Sequence, residues 1–153
     1  MAIEGLLVDF GGVLTSNVFA SFARFCEDEG LLTDTVRDKF MKDPLARELL
    51  FDLELGRLSE DEFERRFAQV LEVEEHAGLI ERLFAGMAPD EEMLAAVRAA
   101  KSAGVRTGLI SNSCGDSYDR AAFPALFDGV VISSDEGIRK PDPEIYVLGV
   151  ALR

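Results

Sequence analysis

Apolar positions change their period twice along the chain, and the two changes divide it. Gly5 to Phe10 is a short apolar run that closes in Asp9 and is followed by Gly11 and Gly12, the pattern of a buried strand entering a tight turn. From about Ser16 the spacing becomes helical: Phe19, Phe22, Ala23 and Cys26 fit one face, and Gly30 is placed to end the helix. Four further helical segments follow. The clearest starts at Ser59, where Ser59 and Glu62 make a capping-box pattern and Phe63, Phe67, Val70 and Leu71 form a single stripe. After Pro89, Asp90 to Ala103 carries acids in its first turn, Met93, Val97 and Ala100 on one face, and Gly104 just past its end. Val105 to Ile110 and Gly129 to Ile132 then read as second and third strands. All three strands are apolar throughout, which predicts a parallel sheet covered on both faces. Asp142 and Pro143 supply an N-cap and first-turn proline for a last helix containing Ile145, Tyr146 and Leu148. The pattern therefore predicts an α/β sheet domain from residues 1–15 and 89–153, with residues 16–88 inserted as a helical bundle.

Composition narrows the function classes. In 153 residues, 48% are hydrophobic and 29% charged, which excludes a disordered or fibrous chain. Lys plus Arg total 16 against 29 Asp plus Glu; the net charge of −13 repels polyanions and argues against nucleic acid as a partner. Apolar runs are too short for a membrane span, and the N-terminus lacks the basic-then-apolar pattern of a signal peptide, so a cytoplasmic location is expected. Cys26 and Cys114 match no metal-ligand spacing and are expected to be free thiols.

Ligands of parallel α/β sheets collect at the carboxyl ends of the strands. Three polar groups stand at such positions: Asp9 after the first strand, Ser111 with Asn112 after the second, and Lys140 in Arg139-Lys140-Pro141-Asp142-Pro143 after the third. Together they offer a carboxylate nucleophile, a hydroxyl and an amide for an anion's oxygens, and an ammonium to offset charge. The phosphate-loop, dinucleotide-glycine and zinc-protease motifs are absent.

On these residues the sequence resembles the haloacid dehalogenase superfamily. Asp9 matches its first motif, Ser111 its second and Lys140 its third, within a Lys-Pro-Asp-Pro string typical of the family. The resemblance implies a Rossmann-like parallel sheet with residues 16–88 as the family's helical cap. It implies a phosphatase of a small phosphorylated metabolite that works through an aspartyl-phosphate intermediate. Asp9 is then the nucleophile, Ser111 hydrogen-bonds the phosphoryl group, and Lys140 holds both together. Gly11, Gly12 and Asn112 belong to the substrate-binding set, and Asp9 with the Gly11 carbonyl would hold Mg2+.

Two departures accompany the match. Gly11 stands where most phosphatases of the family carry a second Asp to protonate the leaving alcohol. The family's fourth strand and its acidic metal motif are also missing, so the C-terminal strands read as cut away. The metal site then lacks its usual carboxylates unless Asp116, Asp135 or a second chain supplies one. These departures keep two alternatives open: a non-catalytic or truncated remnant with an interaction role, and a dehalogenase-like hydrolase, whose leaving halide needs no proton. In the family's strand order the absent strand would lie beside the first, so Leu6, Leu7 and Val8 form an apolar edge on which a homo-oligomer is expected. Glu54, Gly56 and Arg57 join two cap helices and could overhang the site. His76 reads as a surface residue, Cys114 as a bystander thiol, and Asp135 and Glu136 as turn residues.

Overall fold

The computed structural model describes residues 3–151. Among these residues three strands form one parallel sheet in the order β1-β2-β3: β1 (Gly5–Val8), β2 (Arg106–Ser111) and β3 (Gly129–Ile132). Val8 pairs with Leu109 and Ser111 with Ile132. The carboxyl ends therefore lie together, with Asp9 directly after β1 and Ser111 closing β2.

Between β1 and β2 run α1 (Val18–Asp28), α2 (Thr35–Lys42), α3 (Pro44–Glu54), α4 (Glu60–Leu71), α5 (Leu79–Phe84) and α6 (Glu91–Ser102). Side-chain caps start most of them. Asn17 accepts from the Phe19 and Ala20 amides, Asp43 from Leu45 and Ala46, Ser59 from Glu62, and Asp90 from Met93, each satisfying amides that the first helical turn leaves orphaned. The first five helices share one apolar cluster built on Phe22, Phe25, Leu49, Phe63, Phe67 and Leu83. Phe40 and Phe67 stack at 4.6 Å within it. Burying each such ring contributes about 1.5–3 kcal/mol.

The helical segment leaves and rejoins the sheet through paired connections. Ser16 N–H donates to the Ala88 carbonyl at 2.7 Å, Ala88 N–H to Ser16 Oγ at 2.9 Å, and Asp90 N–H to the Leu14 carbonyl at 2.9 Å. After β2 come a short turn, α7 (Phe123–Leu126), β3, α8 (Ser133–Glu136) and α9 (Pro143–Ala151).

The two faces of the sheet have separate apolar clusters. Leu109 and Ile132 pack with Leu14, Val97, Phe123 and Leu126 on one face, and Ile110 and Val131 with Ile145 on the other. Alternate residues of β2 and β3 thus point into opposite cores, which is why those strands are apolar without a break. β1 does not follow the expectation of cover on both faces. It is an edge strand, with Leu6 36% and Leu7 41% exposed, because α6 packs on β2 and α9 on β2 and β3. Phe19 also departs from its predicted place in the α1 core stripe, being 50% exposed while Phe22, Phe25 and Cys26 are buried.

Candidate active site

Asp9 follows the last paired residue of β1, and the chain turns immediately through Gly11 and Gly12. Gly12 has φ +76°, a left-handed conformation that glycine adopts without a Cβ clash. Its N–H donates to Thr15 Oγ1 at 2.9 Å, so this amide serves the turn. The Phe10 N–H donates to Asp9 Oδ1 at 2.7 Å, which fixes the carboxylate against its own backbone. The Asp9 side chain is 46% exposed.

Lys140 comes from the loop after α8. Its Nζ lies 2.8 Å from Asp9 Oδ1 and donates to the Ile110 carbonyl at 3.0 Å. Asn112 grips the Lys140 backbone from both sides: Lys140 N–H donates to Asn112 Oδ1 at 2.8 Å, and Asn112 Nδ2 to the Lys140 carbonyl at 3.2 Å. Asn112 therefore aims the ammonium. Ser111 is buried at the end of β2, and its Oγ lies 2.8 Å from the Tyr118 hydroxyl.

Asp9, Gly11, Ser111, Asn112 and Lys140 line one cleft of about 1390 Å³ between the sheet and the helical segment. Tyr118 belongs to the same cleft and was not singled out from the sequence. Its ring meets Phe10 edge-on at 5.0 Å, and burial pushes its hydroxyl up to about 12, so it serves as a neutral hydrogen-bonding partner of Ser111 near pH 7. A tyrosine seven residues beyond a strand-end serine carries no signal until the intervening loop folds back.

Glu54, the last residue of α3, reaches the cleft from the helical side. It is buried and accepts from Arg139 Nε at 2.6 Å, while the Arg139 guanidinium lies 3.8 Å from the Phe51 ring centre. Burial raises the Glu54 carboxyl above its ordinary value, with the Arg139 pair opposing the shift. Gly56 follows at φ +70°, where a Cβ would stand 2.6 Å from the Ser134 carbonyl oxygen, so only glycine lets this turn approach the sheet domain.

The other candidates take no catalytic position. Burial raises the Cys114 thiol well above its ordinary value, which keeps it protonated and unreactive. His76 is exposed. Arg120 holds both acids considered for a metal, Asp116 through Nε at 2.9 Å and Asp135 through its other two nitrogens at 2.8 and 3.3 Å. No group of three or more His, Cys, Asp or Glu among the described residues is arranged to hold a metal ion. Asp9 supplies one carboxylate, which with the Gly11 carbonyl falls short of a magnesium site by itself.

A model of the haloacid dehalogenase-like hydrolases matches residues 3–152. The chain belongs to this family. No curated protein matches it. Among solved structures, this haloacid dehalogenase-like hydrolase is similar to a haloacid dehalogenase family enzyme of Bacteroides thetaiotaomicron, with 18% identity, TM-score 0.71, and 97% of this chain and 77% of that chain covered. That enzyme is also known in complex with magnesium and inorganic phosphate. A HAD-like hydrolase from Porphyromonas gingivalis is 25% identical, at TM-score 0.67 over 99% of this chain and 76% of that one. The L-2-haloacid dehalogenase of Xanthobacter autotrophicus, seen with chloropropionic acid covalently bound, is 16% identical at TM-score 0.60 over 96% and 63%. These likenesses establish the fold of the hydrolase. Among its described residues no helix is long and apolar enough to cross a membrane.

Proposed function

We propose that this hydrolase acts on a small phosphate monoester through Asp9, with residues 16–88 as a cap over the site. The 2.8 Å contact between Lys140 Nζ and Asp9 Oδ1, with Asn112 holding the lysine backbone, carries the reading. An ammonium so placed offsets the negative charge that the carboxylate and an arriving phosphate bring together. Asp9 attacks phosphorus, the ester P–O bond breaks, and the alcohol leaves with a proton taken from water, since Gly11 has none to give. Water then attacks phosphorus, releasing inorganic phosphate and restoring Asp9. Ser111 donates to a phosphoryl oxygen while Tyr118 orients its hydroxyl.

The neighbour bound to magnesium and phosphate supports magnesium as a helper of this chemistry. In this chain Asp9 and the Gly11 carbonyl would face the ion, and Asp116 and Asp135 are engaged by Arg120. Turnover is expected to be slow.

The test is hydrolysis of p-nitrophenyl phosphate by the chain and by Asp9→Asn, with magnesium and with chelator, alongside 31P NMR titration of inorganic phosphate. Weak phosphate binding that Lys140→Met abolishes, and slow turnover that Asp9→Asn abolishes, are expected. Turnover indifferent to Asp9 would overturn the assignment. The neighbour holding covalent chloropropionic acid supports a second reading, in which Asp9 attacks carbon and expels halide. Chloride release from 2-chloropropionate, exceeding phosphate release, would favour it.

A further inference from the structure

The polar floor around Asp9 accounts for a phosphate and for nothing attached to it. The opposite wall has another chemistry. A Cβ on Gly11 would lie 3.2 Å from Val18 Cγ2, so the start of α1 stands directly against the turn behind Asp9. Phe19 comes next, half exposed and lining the cleft. Its ring meets Phe22 edge-on at 6.3 Å, and Phe22 in turn meets Phe84 at 5.5 Å and Phe40 at 5.9 Å. Met41, 61% exposed, continues the same wall. A solvent-exposed phenylalanine and methionine inside a cleft with a polar floor mark a place where something apolar is held.

Charge and hydrogen bonding exclude the alternatives. Besides Lys140, Arg47 is the one cationic residue among those described as lining the cleft, and its guanidinium donates to the Met41 carbonyl. Three of the four carboxylates lining the cleft on the cap side are already engaged: Glu54 by Arg139, Glu60 by the Asp116 N–H at 2.6 Å, and Glu64 by the Gly78 and Ile80 N–H groups at 3.1 and 3.0 Å; the fourth, Glu81, is exposed and adds negative charge. Hydroxyls of a sugar would find few free partners there, and a second anionic group would meet a wall whose charged side chains are mostly acidic.

We infer that the substrate is a phosphate monoester whose body is apolar, planar and without a second anionic group, seated against Phe19 and its aromatic neighbours. This rests on the reading of the Asp9 floor as a phosphate site.

The experiment is calorimetric titration of the chain with methylphosphonate, phenylphosphonate and phosphonoacetate, none of which carries a hydrolysable ester bond, and of Phe19→Ala and Phe19→Leu with the first two. Phenylphosphonate is expected to bind about tenfold more tightly than methylphosphonate, a factor one good aromatic contact supplies. Phosphonoacetate is expected to bind no better than methylphosphonate. Phe19→Ala should remove most of the phenyl advantage and Phe19→Leu part of it, with thermal midpoints confirming that both variants fold. Equal binding of the methyl and phenyl compounds overturns the inference while leaving the phosphate site intact. A phenyl advantage that survives Phe19→Ala overturns it as well, and so does tighter binding of phosphonoacetate. Failure of all three to bind removes the phosphate site and the inference together.

Discussion

Arg139 Nε lies 2.6 Å from Glu54 Oε2, tying the residue before Lys140 to the end of α3 across 85 positions of sequence. The Glu54 side chain is 9% exposed and that of Arg139 22%. Glu54→Gln leaves the guanidinium half-buried without its counter-charge, though still on the Phe51 ring. The expected loss is roughly 1–3 kcal/mol, below that of a fully buried pair because water still reaches Arg139. Urea unfolding at pH 7 measures it, and an unchanged midpoint would show that the pair holds nothing together.

Gly11 is not among the left-handed glycines, so an aspartate is conformationally allowed there, and its Cβ would press on Val18 at 3.2 Å. Gly11→Asp combined with Val18→Ala relieves that contact and places a proton donor beside the leaving oxygen. Hydrolysis of phenyl phosphate, whose leaving group needs a proton more than p-nitrophenolate does, is expected to rise by at least about tenfold, part of the roughly 10²–10⁴-fold that a well-positioned acid supplies. No gain would mean that another step limits turnover.

Tyr118→Phe deletes the partner of the Ser111 hydroxyl and keeps the ring against Phe10. One neutral hydrogen bond is worth about 0.5–1.5 kcal/mol, so phosphate affinity should fall by roughly threefold to tenfold with little change in the melting midpoint. Affinity equal to that of the parent protein would show that Ser111 orients itself.

Asp128 accepts from Lys101 Nζ and from the Thr107 N–H, both at 2.8 Å, and these bonds, the lysine first, hold its carboxyl below the ordinary value of 3.8. The folded state therefore favours the charged form, and the stability this confers is present above pH 3.8 and is lost as pH falls through the lowered value. Asp128→Asn should melt below the parent protein at pH 7, and the gap should close progressively in acid below pH 3.8. Parallel melting curves across that range would exclude the linkage.

The strands and the polar residues behind them were legible because apolar runs and their terminating side chains are local signals. Asp9, Ser111 and Lys140 could be named for that reason. Phe19 departs from its expected place because helical spacing reports which residues share a face without reporting what covers it; α1 turns Phe19 toward the cleft and Phe22, Phe25 and Cys26 toward the bundle. Tyr118 and the Glu54–Arg139 pair depend on chain return over distances where no local pattern exists. The apolar run of β1 by itself points to cover on both faces, since an edge strand and a central one can carry the same four residues; its place at the edge was legible only through the family's strand order.

That edge position has a kinetic meaning for Asp9. β1 is four residues long and hydrogen-bonded along one side alone within the sheet, so its opening costs far less than that of β2. Asp9 hangs from the end of this loosely anchored strand, and its carboxylate is located by the Phe10 amide and Lys140. Fraying of β1 is therefore expected to withdraw the Asp9 carboxylate from the cleft, and amide exchange at Leu7 and Val8 would count how often its contact with Lys140 is broken and remade.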